Sequence, residues 1–222
     1  MEEMVFADRH DAGRRLAAAL ARFKDARPLV LALPRGGVPV GFEIAQALQA
    51  PLDVLLVRKI GAPGHRELGI GAVVDGAEPQ VVMNEELARM VGASPAYIEA
   101  EVQRQLHEID RVRQLFRGTQ PPMSAEGRTA IVVDDGIATG GTARAALRAL
   151  KRLRPFRRIL AVPVAAPDSI EALSTEADEI ICLAAPRYFR AVGEWYDDFR
   201  QTSDEEVIGL LREANEGSAP GR

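Results

Sequence analysis

Residues 131–142, I-V-V-D-D-G-I-A-T-G-G-T, constrain this chain more than any other stretch of it. β-Branched residues run into adjacent carboxylates, then into a loop of small and hydroxylated residues. A-R-A-A-L-R-A-L-K-R-L then continues as a helix. A short apolar run of this kind reads as a parallel strand buried on both faces. Asp134 and Asp135 stand at its carboxyl end, where open α/β sheets bind ligands. Gly136, Gly140 and Gly141 let the backbone approach a ligand closely, and Thr139 and Thr142 add hydroxyls. The following helix turns its positive end toward the loop. Such a loop suits a phosphate, and paired acids suit neighbouring hydroxyls or a metal. Together they describe a 5-phosphorylated ribose. An Asp-Gly turn is also common in β-hairpins, but a hairpin demands a second strand where this chain supplies a helix. The segment has neither the Gly-Lys-Ser/Thr ending of a Walker loop nor the glycine spacing of a dinucleotide fingerprint.

This strand–loop–helix segment resembles the 5-phosphoribosyl-1-pyrophosphate (PRPP) signature of the type I phosphoribosyltransferases. The resemblance implies that Asp134 and Asp135 hold the ribose 2- and 3-hydroxyls and, through these or through water, a Mg²⁺ ion. It also implies that Gly136, Ile137, Ala138, Thr139, Gly140, Gly141 and Thr142 wrap the 5-phosphate. Upstream, L-P-R-G-G-V-P-V-G at 33–41 again ends a strand and opens a helix, a backbone suited to an anion. It matches the family's pyrophosphate loop, with Arg35, Gly36 and Gly37 gripping the leaving group. V-R-K-I-G-A-P-G-H-R-E-L-G at 57–69 looks like the start of the family's flexible lid, its glycines at 61, 64 and 69 allowing motion. Arg58 and Lys59 would bring charge to the pyrophosphate, Lys59 because it leaves a strand beside the site. His65 and Arg66 read equally well as lid charges and as solvated surface. The resemblance thus gives catalytic roles to Arg35, Lys59, Asp134 and Asp135.

The stretch at 186–200 holds Tyr188, Phe189, Trp195, Tyr196 and Phe199 in a chain that is only 5% aromatic. It occupies the place of the family's hood over the acceptor base. Trp195 and Tyr196 are candidates to stack on a heterocycle, and packing of the last helix, 204–211, is the other reading. Family members that use 6-oxopurines typically carry an acid at the position of Ala138, beside the base. Alanine exchanges no proton there. The loop, R-G-G and R-K-x-G are closest to the adenine phosphoribosyltransferase pattern.

The remainder agrees with an enzyme domain. A chain of 222 residues can bury the core of one α/β domain. The balance of 28 basic against 32 acidic residues, a formal charge of -4, gives no global basic field for nucleic acid. A single cysteine, Cys182, excludes an intrachain disulfide and reads as apolar filler. No apolar stretch is long enough to span a bilayer and the N-terminus lacks a signal core, so the chain reads as cytoplasmic.

Helices are expected at 11–23, 37–49, 94–117 and from 168, with a brief one capped by Asn84. The helix at 94–117 has Ser94 as its cap and Pro95 at its first position. Its face of Ile98, Val102, Leu106, Ile109, Val112 and Phe116 is apolar, with His107 off that face in solvent. Strands are expected at 28–33, 53–58, 70–74, 80–83, 131–133, 158–164 and 178–183, with an Asp-Gly turn at Asp75. The alternation predicts an α/β fold with a doubly wound, mainly parallel sheet, to which the resemblance adds a lid loop at 58–80, a hood at 186–200 and, outside the family pattern, an extra helix at 94–117. One domain is expected over 1–214 and a disordered tail over 215–222. The expected activity is transfer of phosphoribose from Mg-PRPP to a nitrogenous base, in nucleotide salvage. PRPP, a small base and a second copy in a homodimer are the expected partners, with no membrane or nucleic acid. The alternatives are a catalytically silent PRPP-sensing regulator, kept open by the basic run at 151–158, and a PRPP-binding module with a hydrolytic or partner-dependent role.

Overall fold

In the computed structural model, which describes residues 5–216 except residue 77, the predominantly apolar strands pair side by side. β1 (Pro28–Ala32), β2 (Leu52–Val54), β6 (Thr129–Val133), β7 (Arg157–Val164) and β8 (Glu179–Ala184) form a five-stranded parallel sheet in the order β2-β1-β6-β7-β8. Alternation of side chains divides the core. Val30, Ala32, Ile131 and Val133 face α1 (Arg9–Leu20), α2 (Gly37–Leu48) and α7 (Asp204–Glu216). Leu29, Leu31, Ala130 and Val132 face α5 (Gly141–Arg152) through Ala146, Leu147 and Leu150. α6 (Pro167–Leu173) connects β7 to β8. Helices on both faces of a parallel sheet give the expected doubly wound architecture. Chain reversal between β1 and β6, neighbours in space, leaves its crevice at their carboxyl ends.

The expected single strand at 53–58 is two strands in different sheets. After Val54 the chain turns: Leu55 donates its amide to Ala32 O, and Asp75 donates its amide to Leu56 O. Val57 then pairs with Val74. An unbroken apolar run records burial but not which neighbour a strand bonds to. The expected lid loop is likewise largely regular. β3 (Val57–Ala62) and β4 (His65–Val74) form an antiparallel hairpin, turned at Gly64 with φ 76°, and β5 (Gln80–Met83) completes a three-stranded sheet.

That sheet is covered on both faces, which explains the extra helix. Leu55, Ala72 and Val74 pack toward α5. Ile60, Ile70 and Val73 pack with Ile109 and Phe116 of α4 (Pro95–Arg117), alongside its Ile98, Val102, Leu106 and Val112. Ser94 caps α4 by accepting the Tyr97 amide at 3.2 Å, and Gly118 ends it at φ 60°. The short α3 (Glu85–Met90) starts at Asn84, whose side chain accepts the Leu87 amide, and His107 is exposed as expected.

Arg117, at the last turn of α4, lies in a buried ion cluster. It bonds Asp53 of β2 at 2.6 Å and also reaches Asp75 and the Val54 carbonyl, with side-chain exposures of 6% or less throughout. Asp75 is therefore a buried anchor as well as a turn residue. Residues 215 and 216, expected to be disordered, belong to α7, and Asn215 donates to Leu52 O at 3.0 Å. The rest of that stretch, 217–222, lies outside the described residues.

Candidate active site

β1 and β6 deliver their loops to one place. The turn after β1 carries Arg35, Gly36 and Gly37, with a cis peptide bond between Pro34 and Arg35. It lies directly against the acids after β6. A Cβ built on Gly36 would fall 2.0 Å from Asp135 Oδ2, and one on Gly37 would fall 2.6 Å from Val133 O. Only glycine allows that approach. The expected anion loop and the expected diol-holding acids are thus adjacent.

The loop from Gly136 to Thr142 is held from behind. Ile137 donates its amide to Val164 O, and Ala166 donates to Ile137 O, both at 2.9 Å. Ser169 of α6 donates its hydroxyl to Ala138 O at 2.6 Å. Gly140 takes φ 71° and starts α5 without a side-chain cap, leaving first-turn amides for an anion. Ala138 and Thr139 are exposed.

The paired acids differ in surroundings. Burial, then the neighbouring Asp135 carboxylate, pushes the Asp134 carboxyl well above the ordinary range. Asp134 also accepts the Asp135 amide at 2.9 Å. Asp135 is ion-paired with Arg9, whose Nε and Nη2 each lie 2.8 Å from Oδ2. Arg9 also donates to Arg200 O at 2.6 Å and stacks 4.0 Å from the Phe199 ring centroid. Nothing in the sequence separates Arg9 from other helix-start arginines. The first helix begins two positions earlier than its apolar face indicates, with Asp8 accepting the Asp11 amide as its cap.

The hood packs onto the N-terminal segment through Phe6, whose amide donates to Trp195 O at 2.9 Å. Trp195 and Tyr196 are 7% and 6% exposed, clustered with Phe6, Ala12 and Val164. Their rings therefore do not present a free face to a base, which corrects the stacking expectation. Tyr196 instead donates its hydroxyl to Asp135 O at 2.5 Å, its phenol raised by burial. Val192 sits over Gly136, where a Cβ would fall 2.4 Å from Val192 Cγ1. The aromatic run buttresses the acid loop. Aromatic enrichment alone carries no information on direction: Trp195 and Tyr196 pack with Phe6, Ala12 and Val164, whereas Val207 and Leu211 of the last helix belong to a different core cluster, so the expected packing of that helix by these rings is not observed either.

The expected pyrophosphate cations divide. Arg35 and Arg58 line a cavity of about 320 Å³ together with Thr142. Lys59, next along an extended strand, lines a separate cavity with Thr139, Gly141 and Arg144. The structure therefore joins Arg35 with Arg58 and sets Lys59 on the side of the phosphate loop. His65 and Arg66 are exposed at the hairpin tip. The basic run at 151–158 is largely neutralised: Arg154 pairs with Glu126, Arg157 with Glu179 and Arg158 with Asp178. Cys182 is half-buried, its thiol pushed up to about 11 by burial. Among the described residues no helix is long and apolar enough to cross a membrane.

Comparison with known proteins agrees with this geometry. The family described as "Phosphoribosyl transferase domain" matches residues 6–198. Proteins of Mycobacterium tuberculosis strains CDC 1551 / Oshkosh and ATCC 25618 / H37Rv, both named provisionally as phosphoribosyl transferases, are 44% identical over 211 residues. The match covers 95% of this chain and 47% of theirs, so the chain spans about half the length of those relatives. The crystal structure of TT1426 from Thermus thermophilus is 42% identical and superposes with a TM-score of 0.84, covering 95% of this chain and 99% of that one.

Proposed function

We propose, from the premise that this chain belongs to the phosphoribosyl transferase domain family, that it transfers 5-phosphoribose from PRPP to a nitrogenous base and releases pyrophosphate. The observation that carries this reading is the contact between the Gly36–Gly37 turn and the Asp134–Asp135 pair, which sets an anion cradle against a diol-binding pair. A ribose carrying phosphate at one end and pyrophosphate at the other needs that spacing.

In the reaction the bond between the anomeric carbon and the pyrophosphate oxygen breaks, and pyrophosphate leaves with the electron pair. A ring nitrogen of the base then bonds to that carbon, and its N–H proton passes to water or to the released pyrophosphate. Positive charge builds on the sugar between these events. Asp134 and Asp135 orient the ribose hydroxyls and place negative charge beneath the sugar. The amides and hydroxyls from Gly136 to Thr142 anchor the 5-phosphate. Arg35 and Arg58 meet the charge that leaves. Lys59, beside Thr139 and Gly141, serves the phosphate end instead.

Among the described residues no group of three or more His, Cys, Asp or Glu side chains could hold a metal. Hard carboxylate oxygens at Asp134 and Asp135 fit Mg²⁺ bound mainly by substrate oxygens and water. When bound, such an ion would neutralise pyrophosphate charge.

Ala138 supports a finer proposal. Its methyl group replaces the acid that would exchange a proton with a 6-oxopurine, so adenine or a less common heterocycle is the acceptor we assign. The test is a nucleobase panel incubated with Mg-PRPP, read by mass spectrometry for nucleotide and by pyrophosphate release. Adenine turnover with little from hypoxanthine, guanine or xanthine is expected. Efficient guanine turnover overturns the Ala138 argument, and silence across the panel despite PRPP binding favours a sensing role.

A further inference from the structure

The cavity that joins Arg35 and Arg58 has a wall supplied by α4, with Arg111, Val112, Leu115 and Phe116 among its lining residues. Arg58 Nη2 and Arg111 Nη2 each lie 2.7 Å from the same oxygen, Glu108 Oε1. Arg111 Nε also bonds the other oxygen, Oε2, at 2.9 Å. The two guanidinium groups, one from the second sheet and one from the extra helix, therefore converge on a single carboxylate. Glu108 is held below the ordinary carboxylate range, chiefly by the Arg111 hydrogen bond. Across the cavity, Arg35 lies 3.7 Å from Asp204 of α7. Each cation that could meet an incoming anion is thus matched by an acid of the chain, in the geometry that guanidinium forks use for phosphate.

We propose that Arg58 and Arg111, facing Arg35, form the subsite for the departing pyrophosphate, and that Glu108 is a resident carboxylate holding that fork until pyrophosphate displaces it. Arg111 then makes α4 a part of the site as well as a cover for the second sheet. The proposal rests on the phosphoribosyl transfer reading. It adds Arg111 and Glu108, two residues of α4 outside the acid pair and its loop, to the pyrophosphate side already given to Arg35 and Arg58.

Calorimetry with Mg-pyrophosphate and, separately, with ribose 5-phosphate tests it on wild type, Arg111→Ala, Arg111→Lys and Glu108→Gln, with thermal melts confirming that each variant folds. Loss of one charge-assisted fork should weaken pyrophosphate roughly tenfold in Arg111→Ala, with partial recovery in Arg111→Lys. Removal of the competing carboxylate should tighten it roughly fivefold in Glu108→Gln. Ribose 5-phosphate should bind all four proteins within about twofold, because its phosphate belongs to the other loop. Wild-type pyrophosphate affinity in both Arg111→Ala and Glu108→Gln overturns the subsite. Equal weakening of both ligands in Arg111→Ala also overturns it. Failure of wild type to bind either ligand removes the phosphoribosyl reading itself, and this proposal with it.

Discussion

Arg9 and Asp134 treat the acid pair in opposite ways, and the difference is open to measurement. Arg9 spends two nitrogens on Asp135 and lays its plane on Phe199, so a lysine cannot replace it. Arg9→Ala should lower kcat/KM by roughly ten- to a hundredfold, the range for a charge-assisted bond of about 1.5–3 kcal/mol. It should also move the acid limb of the pH–rate profile upward, since the Arg9 charge is one of the influences that lower the Asp134 carboxyl. An unchanged limb would show that Arg9 only supports the hood. Asp134 is a liability for stability because burial and Asp135 raise its pKa. Its folded form binds more protons than its unfolded form above the ordinary carboxylate value, so stability falls as pH rises from there through the raised value. Asp134→Asn should melt at a higher temperature than wild type near pH 7, and the gap should close toward pH 4. A variant less stable than wild type at pH 7 contradicts the assigned surroundings. The signature acids and glycines were legible in the sequence because loop chemistry and helix start sit side by side in the chain. Arg9 was not, because its partner is 126 positions away and a lone arginine carries no local signal.

At the scale of elements, α4 covers one face of the second sheet and is pinned at its last turn. Arg117 is the pin, joined to Asp53 and Asp75, which lie 64 and 42 positions upstream of it. Removing one member of a buried ion cluster leaves charges without compensation, so Arg117→Ala should cost about 3–5 kcal/mol. Amide exchange should accelerate first in α4 and in β3–β5, ahead of the parallel sheet. Uniform acceleration across the molecule would show that the cluster is not a local anchor. The helix itself was readable from its cap, proline, glycine and apolar stripe. Its partner was not, because periodicity gives a buried face without saying what covers it. For the same reason 53–58 read as one strand: Val54 and Val57 are alike in apolar character but bond to different sheets.

Across the whole molecule, the carboxyl ends of β1 and β6 bring an anion turn, an acid pair and a phosphate loop into one crevice. The acid pair is backed by the hood and by Arg9, and the cavity beside it that holds Arg35 is walled by the second sheet and α4. Family membership fixes the fold, and in the proposed reaction the acid pair is the point at which this chain engages the sugar. Calorimetric titration of Mg-PRPP into wild type and into the Asp134→Asn/Asp135→Asn double variant, without any base, tests that engagement most directly. Loss of two hydroxyl-to-carboxylate bonds at about 1.5–3 kcal/mol each predicts saturable binding by wild type and at least a hundredfold weaker binding by the folded variant. Equal affinity for Mg-PRPP in the two proteins would contradict the placement of the sugar on Asp134 and Asp135.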